Sequence, residues 1–571
     1  MKFIHVYDAM SFDGLVKNDF INEDSGFKVQ HDWPMPSQFK FNCVAKKGSK
    51  LHSMIKEGNY PFYVDRLAGG TAFHAYAFDK ALIDEYRNLL GEWFLGFQLH
   101  ELGGNVQADW KDIKRRMGDP SASYSQEEME AGMRNPKNTT PDGDPVYCLR
   151  HGTGAEYSRM RFPQTFEEDR DQLSTIIRWR MEETDGMILA VDSGRPVIYL
   201  HNKLGVKNFM PEVGGQIAHM RVHVASARGM AQANGKKWGT YYECWFRAPD
   251  RSYSQPVYNT HPFNEWYLKQ EQFGDDFTSC GPNGGSSRLL QKRIYFYSLM
   301  SGAQFMAEEW GTNASYSNMD TWELSPYGLL KKEFIEFTRK HKKMKARVPF
   351  AIVLPTDYFC IPTGSINLGE GDLYHCNIPT PPEKADRFSK INHLIQYIFE
   401  RKKEDIRGNE GHTLQNSRFG DLFDIVYADC PEEAFGKYEL LIDADPDGTF
   451  ARKMEGKLPV IRNDDLEKME QTVKTLAAKV LPITVDSLHW VLSDDENGHY
   501  LTVFNHEGNT RSIAAGDVID HTADAFTTIH TQPGINLNVL YASSDSIRLE
   551  KKKDGEYSLF VPATEMVIFS Y

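Results

Sequence analysis

The chain has 571 residues, 40% of them apolar and 25% charged, with a formal net charge of −14. That length exceeds one ordinary core and implies several domains, and the acidic balance argues against a nucleic-acid surface, which needs clustered Lys and Arg. The opening MKFIHVYDAMSFDG has one lysine, an apolar stretch broken by His5 and Asp8, and no small-residue cleavage site, so no secretory signal is expected. No apolar run reaches the roughly 20 residues of a membrane span, so no membrane partner is expected either. Seven scattered cysteines without a CxxC pair fit a reduced, cytoplasmic protein better than a disulfide scaffold or a zinc site. The sequons at Asn138 and Asn313 carry little weight without secretion.

Up to about residue 345, short apolar runs alternate with helical patterns. Eight runs are candidate strands: from Lys2, Gln38, Tyr60, Trp93, Gly186, Lys207, Lys237 and Gly302. Nearly continuous apolar runs ending in polar or Gly residues are the pattern of buried parallel strands. Between them, Phe78 to Leu90, Phe166 to Met181, Gln216 to Asn234 and Leu289 to Leu299 have helical spacing, with Gly235 as a C-cap candidate. Ser325-Pro326 reads as N-cap and first-turn proline of a last helix, which runs into the basic stretch Arg339 to Lys345. Eight β/α units in a row predict a closed (β/α)₈ barrel over residues 1–345. The polar, Gly- and Pro-rich stretch Met117 to Gln164 is then an insertion after the fourth strand.

The texture changes twice more. VPFAIVLP, a helical pattern over Phe388 to Lys402, FDIVYAD, YELLIDAD and a helical pattern over Leu466 to Lys479 predict a small open α/β (flavodoxin-like) domain over residues 346–480. From residue 481 to 571, short strands broken by Glu-Asn-Gly and Asp-Gly turns predict hairpins packed as a β-sandwich.

Catalytic residues of such barrels sit at the carboxyl ends of the strands. Those ends carry Asp8, Asp65, Glu101, Asp192, Glu212, Glu243, Glu308 and Glu309, flanked by Trp93, Trp110, Trp245 and Trp310. Glycoside hydrolysis uses two carboxyl groups, one protonating the departing oxygen and one attacking the anomeric carbon or activating water. Such acids also cap helices, so position alone does not assign a role.

Two segments carry a resemblance. WFLGFQLHELGGN is similar to the fourth-strand signature of clan-A glycosidases, particularly the family forty-two β-galactosidases, whose acid/base Glu matches Glu101. ARGMAQANGKKWGTYYECWF resembles the sixth helix and seventh strand of the same families, where the strand ends in the nucleophile, here Glu243. The order of barrel, small α/β domain and terminal β-sandwich resembles that family too. What the resemblance implies is a retaining glycoside hydrolase acting on a carbohydrate, without cofactor or catalytic metal. It also implies a homo-oligomer, a trimer where the middle domain assembles. The candidate sugar contacts are Arg66, His100, Asn105, Glu212, Trp245, Glu308, Glu309 and Trp310. The sequence departs from the signature at His100, which stands where the family has Asn.

Alternatives stay open at this point. Glu212 could replace either catalytic residue. An inverting glycosidase or a lyase could use the same barrel, and a sugar-binding protein could have kept the fold and lost catalysis. A metal reading would recruit His5, Asp8, His74, His100 and Glu101, but no His-x-His or His-Glu-x-x-His spacing supports it.

Overall fold

The computed structural model describes residues 1–7, 11–30, 47–65, 76–78, 80–100, 102, 148–150, 165–191, 195–215, 217, 219–244, 246–247, 253–254, 277–279, 285–309, 311–358, 381–399, 413–512 and 516–571. Eight β/α units follow in chain order. The strands are β1 (Lys2–Tyr7), β2 (Ser25–Gln30), β3 (Phe62–Asp65), β4 (Phe94–His100), β5 (Ile188–Val191), β6 (Asn208–Phe209, resuming at Glu212–Gly214), β7 (Lys237–Glu243) and β8 (Phe305–Glu308). Their helices are α1 (Ser11–Lys17), α2 (Lys50–Gly58), α3 (Lys80–Leu90), α4 (Phe166–Glu183), α5 (Arg195–Lys203), α6 (Met220–Ala233), α7 (Arg288–Met300) and α8 (Pro326–Lys340). Each strand pairs in parallel with the next, and β8 returns to β1, so the barrel is closed.

The predicted strands stand at seven positions and fail at one. The second strand is Ser25–Gln30, not the run from Gln38, which lies outside the described residues as far as residue 46. SGFKVQ hides from an apolar scan because it carries the buried polar residues Ser25 and Lys28. The helix predicted from Gln216 starts only at Met220, because His219 has a left-handed backbone (φ 65°). Ser325 caps α8 as predicted, its hydroxyl accepting the Gly328 amide with Pro326 in the first turn. Of the predicted insertion, only Cys148–Arg150 lies within the described residues, paired antiparallel with Tyr76–Phe78.

Period two sorts the barrel residues. Ile4, Tyr63, Leu95, Leu189, Val191, Met210, Tyr241, Phe305 and Ala307 form a core of their own inside the barrel. Their chain neighbours, such as Phe3, Val64, Ile188, Phe209, Tyr242 and Met306, join the outer core under the helices.

Beyond the barrel, β9 (Phe350–Leu354), β10 (Phe423–Tyr427), β11 (Leu440–Asp443) and β12 (Val460–Arg462) form an open parallel sheet in the order β10-β9-β11-β12. It carries α9 (Pro382–Phe399) and α10 (Leu466–Val480). The last part holds two larger antiparallel sheets and a two-stranded one, Asn509–Ser512 with Gly516–Ile519. Of the larger two, one contains β14 (His489–Asp494), β15 (His499–Phe504), β20 (Met566–Ser570) and β17 (Asn538–Ala542); the other contains β13 (Ile483–Val485), β16 (Ala525–Thr531), β19 (Glu556–Val561) and β18 (Arg548–Lys553). Lys345–Ala346 pairs with Asp494 and Ser493, so the chain leaving α8 joins the terminal sheet before it enters the parallel one. Among the described residues, no helix is long and apolar enough to cross a membrane.

A buried ionic cluster fastens the parallel sheet to the barrel. Arg228 on α6 donates to Asp424 (2.7 Å), Asp421 (2.6 Å) and the Phe423 carbonyl (3.1 Å). Tyr297 of α7 donates to the other Asp421 oxygen at 2.9 Å, and Tyr438 to Asp424 at 2.7 Å. Burial opposes the charge on Arg228, but the two carboxylates outweigh it and hold the guanidinium above its ordinary pKa. Removing one member of such a cluster leaves buried charge unpaired, which costs about 3–5 kcal/mol. Arg228→Met is therefore expected to lower unfolding free energy by an amount of that order in a denaturant titration at neutral pH. A loss below about 1 kcal/mol would show that the cluster is not a fastening.

His201, on α5, is fully buried, and desolvation pulls its pKa from 6.5 down to about 3. The unfolded chain takes up this proton near pH 6.5 and the folded chain only near 3. Its contribution to stability is thus intact above about pH 6.5 and lost as the pH falls towards 3. His201→Leu should make the fall of Tm across that window shallower; parallel curves for variant and wild type would refute it.

Candidate active site

The carboxyl end of the barrel interior collects polar side chains from five strands. Their positions follow from the alternation established lower in each strand. On β7, Tyr241 belongs to the inner core and Tyr242 to the outer one, so Glu243 points inward, and it is fully buried. On β6, Glu212 pairs in register with Tyr241, and Gly214 with Glu243. A Cβ on Gly214 would stand 2.4 Å from the Glu243 Oε1 and 2.1 Å from its carbonyl oxygen. Only glycine allows this close approach, and the carboxylate lies in the space that any other residue would fill. The Gly214 carbonyl accepts the Thr413 hydroxyl at 3.1 Å, and the Thr413 carbonyl accepts the Met220 amide at 3.0 Å, which fixes the loop from β6 into α6.

On β4 the alternation changes phase. Leu95 faces inward and Phe97 outward, because the β3–β4 register shifts beside Gly96, whose φ is 115°. That bulge turns Gln98 and His100 into the lumen. Gln98 Nε2 lies 2.7 Å from His100 Nδ1, and His100 Nε2 lies 3.9 Å from the Glu309 carboxylate. The His100 ring meets Tyr241 edge-on, with centroids 5.5 Å apart.

Strand β8 splits the two adjacent glutamates. Phe305 and Ala307 are inner residues, so Glu309 continues on the lumen side, and its amide donates to the Tyr242 carbonyl at 2.8 Å. Glu308 takes the opposite face. Its carboxylate accepts Lys331 of α8 at 2.5 Å and the hydroxyl of Tyr295 from α7. The expected sugar contact at Glu308 is therefore corrected: this carboxylate is buried behind the strand, where its ion pair lies beside Phe3 and Phe20. Burial, then the neighbouring Glu308 charge, pushes the Tyr295 phenol well above its ordinary pKa.

One lumen residue escaped sequence reasoning. Lys28 on β2 is buried, donates to the carbonyls of Glu308 (3.3 Å) and Glu309 (3.1 Å), and stands 5.7 Å from the centre of the Tyr241 ring. Its signal was a lysine at an inward position of a short alternating run, visible only once SGFKVQ is read as a strand.

The structure thus brings together Glu212, Glu243, His100 and Glu309, with Lys28, Gln98 and Tyr241 beneath them. Glu101, Arg66, Asn105, Trp245 and Trp310 lie outside the described residues, as do Asp8, His74 and Asp192. His5 does not join the site. It is an outward residue of β1, stacked on Phe20 and facing the Ser25 hydroxyl at 3.5 Å, and desolvation, then Lys331, holds its pKa well below 6.5.

The sequence matches no family model and no curated protein sequence. Among solved structures, the chain is similar to an α-L-fucosidase isoenzyme 2 from Paenibacillus thiaminolyticus, at 10% identity over 100% of both chains with a TM-score of 0.44. It is also similar to GH5_18 from Bifidobacterium longum subsp. longum, at 11% identity over 81% of this chain and 97% of that one, TM-score 0.30. A third is the exo-β-1,4-mannosidase Op5Man5 from Opitutaceae bacterium strain TAV5, at 8% identity over 88% and 84%, TM-score 0.30. These neighbours are glycoside hydrolases.

The Gly214 fit gives a direct test. Gly214→Ala drives a methyl group into the Glu243 carboxylate and carbonyl, so it should cost about 1–3 kcal/mol through overpacking. Unfolding midpoints of the wild type and the alanine variant, measured side by side, check this; an unchanged midpoint would place the Glu243 side chain elsewhere.

Proposed function

We propose that the protein is a glycoside hydrolase that cleaves short oligosaccharides or glycosides with retention of configuration, using Glu243 as nucleophile and Glu101 as acid/base. The observation that carries this reading is the inward, fully buried Glu243 at the carboxyl end of β7, seated against Gly214 in a lumen that also holds Glu212, Glu309 and His100. A carboxylate on the lumen side at the carboxyl end of a barrel strand stands where a nucleophile for an anomeric carbon would be needed. The Glu101 assignment rests on the resemblance of WFLGFQLHELGGN to the fourth-strand signature. Its partner role requires the two carboxyl groups to lie about 5–5.5 Å apart, whereas about 6.5–9.5 Å would suit an inverting enzyme.

In the proposed mechanism, Glu101 gives its proton to the leaving oxygen as the Glu243 carboxylate closes on the anomeric carbon. Glu101 then takes a proton from the water that releases the glycosyl group. His100 and Glu309 would hold sugar hydroxyls beside the reacting ring. Glu212, next to Glu243 across the β6–β7 pairing, would be a third sugar contact.

A panel of nitrophenyl glycosides tests the class of reaction. Glu243→Gly should abolish turnover, and azide should restore some activity with inverted product. Glu101→Ala should hurt substrates with poor leaving groups most, and azide should rescue it with retained configuration. Glu212→Ala should mainly raise KM. A dead Glu212→Ala beside an active Glu243→Gly would move the nucleophile to β6, and a panel without any hydrolysis would leave a sugar-binding protein.

A further inference from the structure

At the other end of the barrel, around the starts of β1, β7 and β8, lies a cavity of about 860 Å³. Its size is that of a small-molecule pocket, for which about 300–1,000 Å³ is typical. The inner core residues Ile4, Tyr63, Leu95, Leu189, Met210, Tyr241 and Phe305 stand between it and the carboxyl end, so it is separate from the site described above.

The lining is charged in one sense. Lys2, Lys236, Lys343 and Lys345 face a single carboxylate, Asp24. Asp24 is already engaged by Lys2 at 3.5 Å and by Lys342 at 3.4 Å. Four ammonium groups against one paired carboxylate leave a concentrated positive field in a chain whose net charge is −14. Lys343 and Lys345 are exposed, Lys2 is half-buried, and so is Lys236. Its Nζ donates to the Asn202 carbonyl at 3.1 Å and lies 5.3 Å from the Phe209 ring centre, contacts that supply no negative charge. Desolvation accordingly lowers its pKa from 10.5 to about 8, which still leaves it mostly protonated at neutral pH. The indoles of Trp93 and Trp238 supply the apolar wall, and the main chain from Ser301 to Gln304 closes one side.

We propose that this cavity binds a small organic phosphate. Lys2 and Lys236, with Lys343 and Lys345 at the rim, would meet the phosphate oxygens, and the carbon skeleton would lie against Trp93 and Trp238. A phosphate monoester carries about −1.5 to −2 charges and three acceptor oxygens, which suits several point-charge donors better than a single carboxylate does. The indole wall gives the organic part an advantage over the bare ion.

Isothermal titration of the intact protein tests it, with glucose 6-phosphate, inorganic phosphate and glucose as probes. The hexose phosphate should bind, glucose should not, and inorganic phosphate should bind at least about tenfold more weakly. Lys236→Met should weaken the hexose phosphate by about tenfold or more, and Lys345→Gln, at an exposed rim position, by a few-fold. Glu243→Gln should leave its affinity unchanged. The proposal falls if the hexose phosphate fails to bind at millimolar concentration, or if inorganic phosphate binds as tightly. It falls also if Glu243→Gln abolishes binding while the two lysine variants do not, since the ligand would then sit at the catalytic end.

Discussion

A closed parallel barrel has an inside and an outside, and the period of two along each strand assigns every strand residue to one of them. This constraint decides the chemistry available here. Glu308 and Glu309 are neighbours in sequence, yet one neutralises Lys331 between strand and helices while the other enters the lumen beside His100. Glu243 reaches the lumen because Tyr241, two residues earlier, is already inside. Where the phase has to change, as on β4, a bulge beside Gly96 changes it, and Gln98 and His100 turn inward.

That rule explains what could be read from the sequence and what could not. Continuous apolar runs betrayed seven strands, since a strand buried on both faces has little need of polar residues. Ser25–Gln30 stayed hidden because its inward face holds a lysine, a residue whose burial depends on carbonyl acceptors contributed from β8. No local pattern reveals an acceptor 280 residues away. The cluster of acids at strand ends was legible as a group. Its division between lumen and outer face was not, because a two-residue difference in where a strand begins reverses no side, but a one-residue bulge does. The buried cluster around Arg228 was equally invisible: an arginine in a helical pattern reads as a solvated face until the sheet that covers it is known.

The parts beyond the barrel are bound to it through polar contacts as well as apolar packing. Arg228 grips the loop and strand around Asp421 and Asp424, and Thr413 holds the Gly214 carbonyl. The terminal sheet docks on α7 through His506, whose Nδ1 accepts from Arg293 (3.2 Å) and whose Nε2 donates to His489 Nδ1 (2.8 Å). Since α6 carries Arg228 and leads directly into β7, the strand bearing Glu243 is positioned from both sides, by barrel pairing and by the parallel sheet behind it.

Lys28 and the inner core also settle the traffic of molecules through the barrel. The lysine ties β2 to the end of β8 across the lumen, and below it packed side chains fill the interior. Among the described residues no passage runs along the axis, so the lumen around Glu243 opens only at the carboxyl end of the barrel. Under the function proposed above, product would have to clear that one doorway before the next substrate could occupy it.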